Sequence, residues 1–243
     1  MTPFLKVITE YCAVIVNDQR LIELAQEDMP LYARRMWGYL QAAIPLFTIP
    51  AEMQNYLLGT EENPNATMPK YDSVIKTAVA ELTQDTVVEL GADFTDYELF
   101  CCRERRYDEF GNVYYYPAPN VDYNAENGTI TIHATDESPV PQGTQYEIDF
   151  YTDGYFSHTL TPEQMDILGS CFEVVWWKNF INDYISNVPI IEDRSFTVQN
   201  KANKENADTA RIKEARNQLY DKMRRYEQNL FQHKSFPQGF NIL

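Results

Sequence analysis

A helix that is apolar on nearly every side constrains the fold of this chain most. It begins at Thr161-Pro162-Glu163-Gln164, where threonine and glutamine can form a capping box and proline takes the first helical position. The apolar residues of this helix are Met165, Ile167, Leu168, Phe172, Val174, Val175, Trp176, Trp177, Phe180, Ile181, Tyr184 and Ile185. A helix of this kind is stable only when other helices surround it. The sequence therefore predicts a helical bundle, with Pro189 ending this helix.

A second, polar helix is predicted from about Lys201 to Phe231. Its apolar residues are three or four positions apart and form one narrow seam: Ile212, Ala215, Leu219, Met223, Tyr226 and Leu230. The helix should therefore dock along a single line. At 1.5 Å per residue it would be about 45 Å long, the length of a strut.

The N-terminal third is predicted to supply three or four packed helices. Thr2 and Pro3 resemble a cap and a first helical residue, and apolar residues recur with the helical period from Phe4 to Ile15. A second helix is expected from near Pro30 to Pro45. Val74, Ile75, Ala78, Val79 and Leu82 predict another short helix over 71–82.

The middle third changes to the two-residue period of half-buried strands. Residues 129–134 and 146–151 alternate apolar and polar side chains, and turn signals occur at 108–112 and 126–128. The predicted fold class is α+β, a helical bundle with an inserted small antiparallel β domain and a long C-terminal helix. The predicted boundaries are 1–84 for the N-terminal helical part, 85–158 for the inserted β domain, 159–231 for the C-terminal helices and 232–243 for a docking arm.

Charge is distributed unevenly along the chain. Lysine and arginine number 20 against 36 aspartate and glutamate, giving a net charge of −16, which argues against nucleic-acid binding by the whole surface. Residues 50–165 hold 21 acids and 5 bases, whereas residues 201–225 hold 8 bases and 4 acids. One interpretation is a solvated helix with pairs four residues apart. The other is that the basic helix meets the acidic middle of a neighbouring copy, which would order identical chains head to tail.

The motifs of common enzyme and metal sites are missing from the sequence. The histidines His133, His158 and His233 have no zinc-ligand spacing, and phosphate-loop, dinucleotide and hydrolase-elbow motifs do not occur. Residues 122–128 partly resemble a calcium loop, but glycine comes one place late and His133 stands at the closing position, so an Asn-Gly hairpin turn is the better interpretation. The four scattered cysteines are expected to be buried thiols. We expect no enzyme activity, no cofactor and no metal.

The start of the chain lacks the pattern of a secretory signal, and no run approaches the ~20 apolar residues that span a bilayer. The expectation is a soluble protein made in a cytoplasm, with no membrane partner.

One pattern in the C-terminal half resembles a known family. An aromatic strand end at Gly154-Tyr155-Phe156 precedes Leu160-Thr161 and Ile167-Leu168, then Trp176-Trp177 with Ile181, a linker through Asp193 and a polar helix. Over residues 146–231 this resembles the neck proteins, the head–tail connector, ring or adaptor proteins, of tailed bacteriophages, particularly podovirus-like and crAss-like phages of gut bacteria. The chain departs from the pattern at Gly169-Ser170, where small alanines would be more usual.

The resemblance implies a structural virion protein in the phage neck, assembled in the host cytoplasm. It would form a homo-oligomeric ring, commonly a dodecamer, between the portal protein and an adjacent neck or tail protein for which it provides a docking surface. Genomic DNA would pass through the lumen without specific binding. An acidic lining suits that passage, because it repels phosphates.

The residues expected at subunit contacts belong to the basic helix and the C-terminal arm. They are Lys204, Arg211, Arg216, Lys222, Arg224 and Arg225 on the helix, and Phe236, Phe240 and Leu243 as anchors of the arm. For the arm the alternative is simple disorder.

Three other functions stay open at this point. The ring could be a tail hub or a stopper instead of a connector. The tyrosine-rich β part could instead make the chain a carbohydrate- or host-surface-binding module. An enzyme whose site is assembled from distant residues is the third.

Overall fold

The fold is α+β, as the sequence predicts. The computed structural model describes residues 1–51, 53–59, 66–78, 84–91, 94–95, 97–118, 121–133, 142–187 and 197–235. Contacts divide the chain into two compact units. The helical unit comprises Met1–Asp18, Met36–Thr67 and Tyr155–Leu243, and the sandwich unit comprises Gln19–Arg35 and Met68–Gly154.

The helical unit starts with one interrupted helix. Helix α1 (Phe4–Val7) continues through a π-helical turn (Ile8–Cys12) into α2 (Ala13–Val16), which ends at Asn17 in the left-handed conformation, φ 46°. The Phe4 ring packs edge-on against Phe156, with ring centroids 4.5 Å apart. Burial of such aromatic and aliphatic side chains is the main stabilising contribution to the unit.

Further helical segments precede the first strand. Helix α3 (Gln19–Glu27) and the first turns of α4 (Met29–Ala43) belong to the sandwich unit, and the rest of α4 belongs to the helical unit. A 3₁₀ turn (Ile44–Leu46) containing Pro45 follows α4, and then α5 (Met53–Leu58). Proline at this point is expected to end the α-helix, because it removes a backbone donor.

The last two helices pack side by side in opposite directions. Helix α6 (Pro162–Asn187) begins with the predicted capping box: the Thr161 amide donates to Gln164 Oε1 at 2.8 Å, and the Gln164 amide donates to Thr161 Oγ1 at 3.2 Å. Helix α7 (Thr197–Ser235) has 39 residues and is therefore about 58 Å long. The predicted seam is confirmed, since Ala215, Leu219, Met223 and Tyr226 are all buried.

Besides α3 and the start of α4, the described residues of the sandwich unit form two antiparallel sheets. The larger has the order β1-β7-β3-β4 and the smaller the order β2-β6-β5. The strands are β1 (Lys70–Thr77), β2 (Thr86–Glu89), β3 (Leu99–Tyr107), β4 (Val113–Pro117), β5 (Val121–Asn124), β6 (Thr129–Ile132) and β7 (Gln145–Thr152). Phe94, Ile130, Ile148 and Phe150 form the centre of the core between the sheets. Each sheet thus has one inner face and one outer face.

Three features of the N-terminal third differ from the sequence-based expectation. Residues 70–77 form strand β1, so the helix expected over 71–82 was wrong for residues 71–77, and residues 79–82 lie outside the described residues. Helix α1 begins after Pro3 without a side-chain cap, because the Thr2 hydroxyl accepts a hydrogen bond from the Leu160 amide at 2.8 Å instead. The unit that holds the strands includes residues 19–35 and 68–84, which lie before the predicted boundary at 85, and ends at Gly154.

Candidate interaction surfaces

The β3–β4 hairpin has a tip that its own side chains hold in place. Asp108 Oδ1 accepts hydrogen bonds from the backbone amides of Phe110 and Asn112, each at 2.8 Å, and Asp108 Oδ2 accepts from Asn112 Nδ2 at 2.7 Å. The Asn112 side chain is the main reason that the pKa of Asp108 is lowered, because it stabilises the carboxylate. Gly111 has φ 82°, a conformation that suits glycine. The turn leaves the Phe110 side chain 89% exposed.

Tyrosines and arginines alternate on both faces behind this tip. Tyr107, Tyr114, Tyr115 and Tyr116 are all exposed. On one face, Arg106 Cζ lies 4.4 Å from the ring centroid of Tyr116, and the same guanidinium pairs with Glu104. A cation–π contact at an exposed site modestly favours the observed ring orientation. The hairpin is therefore an ordered aromatic projection, and β4 is the edge strand of its sheet.

The opposite face of the larger sheet has an ion cluster centred on Arg103. The guanidinium pairs with Asp28 at 3.0 Å, with Glu147 at 3.3 Å and with the fully buried Asp149. Asp28 also accepts a hydrogen bond from the Leu31 amide at the start of α4, and burial raises its pKa. These ion pairs tie the start of α4 to the sheet, so the cluster is structural.

Two of the predicted subunit-contact residues on α7 make contacts within the chain. Arg211 Cζ stacks 3.6 Å from the ring centroid of Trp177, and Lys222 Nζ pairs with Asp166 Oδ2 at 2.7 Å and donates to Ser170 Oγ at 2.9 Å. Both contacts join α7 to α6. Subunit contact through either residue therefore remains a prediction, and each has a role in the helical unit already.

The other predicted contact residues divide between two places. Arg216, Arg224 and Arg225 are exposed on α7, and Lys204 lies within the same helix. Phe236, Phe240 and Leu243 lie outside the described residues.

A flank of α7 away from α6 presents cations around an aromatic ring. We call Lys213, Arg216, Tyr220 and Arg224 the cationic flank. All four are exposed, and their spacing of three or four residues places them in one row. Arg224 Cζ lies 5.1 Å from the ring centroid of Tyr220, and Glu227 joins the row at its C-terminal end.

The outer face of the smaller sheet is acidic and polar. Strand alternation turns Val87 and Glu89 outward on β2, Thr129 and Thr131 on β6, and Asp122 and Asn124 on β5. Asp85 and His133 lie just beyond β2 and β6, and the His133 ring is bracketed by two carboxylates: Nε2 is 2.9 Å from Asp122 Oδ2 and Nδ1 is 2.9 Å from Asp85 Oδ2. Hydrogen bonds to Asp122 and then Asp85 raise the pKa of His133.

The Asn-Gly turn was the better interpretation of residues 122–128. Strands β5 and β6 pair up to Asn124 and Thr129, and residues 125–128 connect them, with Gly128 at φ 58°. Within the described ranges, no group of three histidine, cysteine or acidic residues could hold a metal ion. His133, at the position of the closing calcium ligand, contacts Asp122 and Asp85 instead.

The thiols are poorly suited to nucleophilic chemistry. Burial raises the pKa of both Cys101 and Cys102 to about 12, and burial also raises the pKa values of Cys12 and Cys171. A thiol attacks as the thiolate, so these groups are in the unreactive form near neutral pH.

In the part of the chain that the structure describes, none of the helices has the length and apolar content needed to cross a bilayer.

Comparison with protein-family models, with curated proteins and with solved structures finds no match to this chain.

The sequence contains signals for parts of these surfaces but not for the way the fold arranges them. The turn signal at 108–112 and the run Tyr114-Tyr115-Tyr116 were visible, and together they could have indicated an exposed hairpin tip. The acidic face was missed because it joins β2 to β5, which come together only through β6. The alternation of acids in Asp85-Thr86-Val87-Val88-Glu89 was the available signal.

Proposed function

We propose that this chain is a structural subunit that assembles with copies of itself into a ring, at the neck of a tailed phage between portal and tail. The ring would give DNA a passage and present a docking surface to the next tail component. Its work would be protein–protein contact and not catalysis. A tail hub or a stopper ring would use the same kind of contact.

The exposed β3–β4 hairpin is the observation that most supports this proposal. Phe110 is held outward by a turn that Asp108 and Asn112 organise, and arginine-backed tyrosines stand behind it. Tyrosine, phenylalanine and arginine are enriched at protein interfaces, and a few such residues supply most of the binding energy. Exposed aromatic side chains that are grouped in this way, unlike a single exposed apolar residue, are typical of a surface that a partner covers.

The primary test is the mass of the purified full chain over a range of concentrations, followed by electron microscopy of any oligomer. We expect ring-shaped particles whose mass is a multiple of 28.3 kDa. A chain that stays monomeric at high concentration, and also when mixed with portal and tail proteins, would contradict the proposal.

A matched pair of variants tests the hairpin itself. Phe110→Ala should weaken assembly by about 2 kcal/mol, which is about thirtyfold in the dissociation constant, if Phe110 is a central anchor. Ile22→Ala removes another exposed apolar side chain, on α3, and should leave assembly unchanged. Circular dichroism should report wild-type folding for both. Equal assembly by the two variants would count against the hairpin as the contact.

The exposed tyrosines also favour a second candidate, a carbohydrate- or host-surface-binding module. Tyr114 and Tyr116 lie on one face with ring centroids 5.7 Å apart, and aromatic faces of this kind can stack on sugars. Glycan-array binding by the full chain, without ring particles, would favour this candidate.

A further inference from the structure

We infer that the cationic flank of α7 docks on the outer face of the smaller sheet in a second copy of this chain. This inference rests on the proposed function, because it names a second contact between copies, separate from the β3–β4 hairpin, through which they would assemble. Both surfaces are present on the single chain. They carry opposite charges and have similar dimensions.

The helix contributes three cations around one aromatic ring. Lys213, Arg216 and Arg224 are exposed, and Arg224 lies against Tyr220, which is 50% exposed. The opposite flank of α7 is occupied by α6, through Arg211 on Trp177 and Lys222 on Asp166. The cationic flank lies on the other side of α7 from these two contacts and is exposed.

The sheet contributes carboxylates around one exposed apolar residue. The side chains of Asp85 and Asp122 are 58% and 82% exposed, and Glu89 is also exposed on the same face. Val87 lies between Asp85 and Glu89 on β2 and is 60% exposed. The threonine and asparagine residues of the face can accept hydrogen bonds from arginine and lysine. Tyr220 would cover Val87 while the cations reach the acids on either side.

The dimensions of the two surfaces agree. Lys213 and Arg224 are eleven helical steps apart, about 16 Å, and Asp85 and Glu89 are four strand steps apart, about 13 Å. Three strands are about 10 Å across, close to the 10–12 Å diameter of a helix with its side chains. One helix can therefore cover the face without leaving a strand uncovered.

The two surfaces are different parts of the chain, so the contact is heterologous. Each copy would offer its helix to one neighbour and its sheet to the other. A contact of this type closes into a ring when the rotation between copies divides a full turn. Charge complementarity would set the order and register of the subunits.

The test is a pair of charge-reversed variants that are mixed. The helix variant is Arg216→Glu/Arg224→Glu, and the sheet variant is Glu89→Lys/Asp122→Lys. Alone, each variant brings like charges together, and we expect the dissociation constant of assembly to rise about tenfold or more. In an equal mixture, the reversed helix of one variant meets the reversed sheet of the other, and their unchanged surfaces also match. The mixture should therefore assemble in alternating order.

A control variant separates this contact from net charge. Lys6→Glu/Lys70→Glu makes the same change in charge as the helix variant at two other exposed positions and should assemble as the wild type does. Wild-type assembly should also weaken between about 0.05 M and about 0.5 M salt.

The outcomes distinguish this inference from the proposed function. A wild type that never oligomerises overturns both. Wild-type rings with unaffected helix and sheet variants overturn only the inference. Two weakened variants that stay apart when mixed also overturn it, because the surfaces then do not meet each other. The inference is supported if each variant assembles poorly by itself and the equal mixture of the two assembles as the wild type does.

Discussion

At the scale of single residues, Gly169 explains how two helices come together in the helical unit. A β-carbon at this position would lie 2.5 Å from Ile15 Cδ1 and 3.3 Å from the carbonyl carbon of Tyr11, which belongs to the π-helical turn. The sequence marked Gly169-Ser170 as unusual, and the close approach of α6 to the π-helical turn is the physical reason for the glycine. Ser170 donates to the Asp166 carbonyl and accepts from Lys222.

Gly169→Val should lower the free energy of unfolding by about 2 kcal/mol, because the added methyl groups overpack the crossing. Gly38→Ala is the matched control: Gly38 lies in α4 with open space around its missing side chain, so alanine should raise the free energy of unfolding by about 0.5–1 kcal/mol. Urea unfolding measures both. If Gly169→Val unfolds like the wild type, the helices do not approach as closely as described.

His133 gives the acidic face a dependence on pH. Its ring lies between Asp122 and Asp85, and hydrogen bonds to these carboxylates raise its pKa above the ordinary value of about 6.5. The protonated ring can donate to both carboxylates. Its contribution to stability is therefore fully present below about pH 6.5 and is lost as the pH rises through the folded-state pKa.

An NMR titration of the His133 ring protons measures this effect. The midpoint should lie above about 6.5 in the wild type, and it should fall in Asp122→Asn, which keeps an oxygen acceptor but removes a charge. A wild-type midpoint at or below about 6.5 would mean that the carboxylates do not hold the ring in solution.

At the scale of elements, the sequence patterns correctly predicted the features that depend on residues within one segment. The capping box at Thr161 and Gln164, the seam of α7 and the strands β6 and β7 all depend on spacing within one segment. Each of these patterns is complete within a few turns or residues, so no distant contact is needed to interpret it.

Strand β1 and helix α3 show where this approach fails. Strand β1 pairs with β7 and turns Tyr71 toward Asp149 of the ion cluster and Val74 toward the sandwich core, so neither face gives a clear apolar alternation. Its apolar residues then fitted a helical period by chance. Helix α3 was missed although its sequence carries a short helical pattern: Leu21 is buried, and Leu24 and Ala25, three and four positions further on, are half-buried.

At the scale of the whole molecule, the candidate sites depend on residues that are far apart along the chain. The ion cluster joins Asp28, just before α4, to Arg103 of β3 and Asp149 of β7, and the acidic face joins Asp85 to Asp122 through His133. Sequence showed that the middle of the chain is acidic and α7 basic, which motivated a contact between copies. It did not show which acids share a face, because that depends on strand order.

The C-terminal arm belongs to the same scale. Cutting the chain after Phe231 should lower the melting temperature of the ring or block docking of the next component, because the predicted anchors Phe236, Phe240 and Leu243 are removed. Thermal melting of the purified ring, together with co-sedimentation with its neighbours, measures this.

The double variant Phe236→Ala/Phe240→Ala keeps the full length of α7 and should reproduce the effect of the truncation. Gln238→Ala, between the two anchors, is the control. A truncated chain whose rings melt and dock as the full-length rings do would rule out the arm.

The tip of the β3–β4 hairpin has a kinetic consequence. Since Asp108 and Asn112 fix the turn within the single chain, Phe110 is already oriented before a partner arrives. Little conformational entropy is then lost in ordering this contact, and no loop rearrangement has to precede it. We therefore expect subunits to add in a single concentration-dependent kinetic phase. The dissociation rate of the assembled contact, and not its association rate, should then decide how long a ring survives.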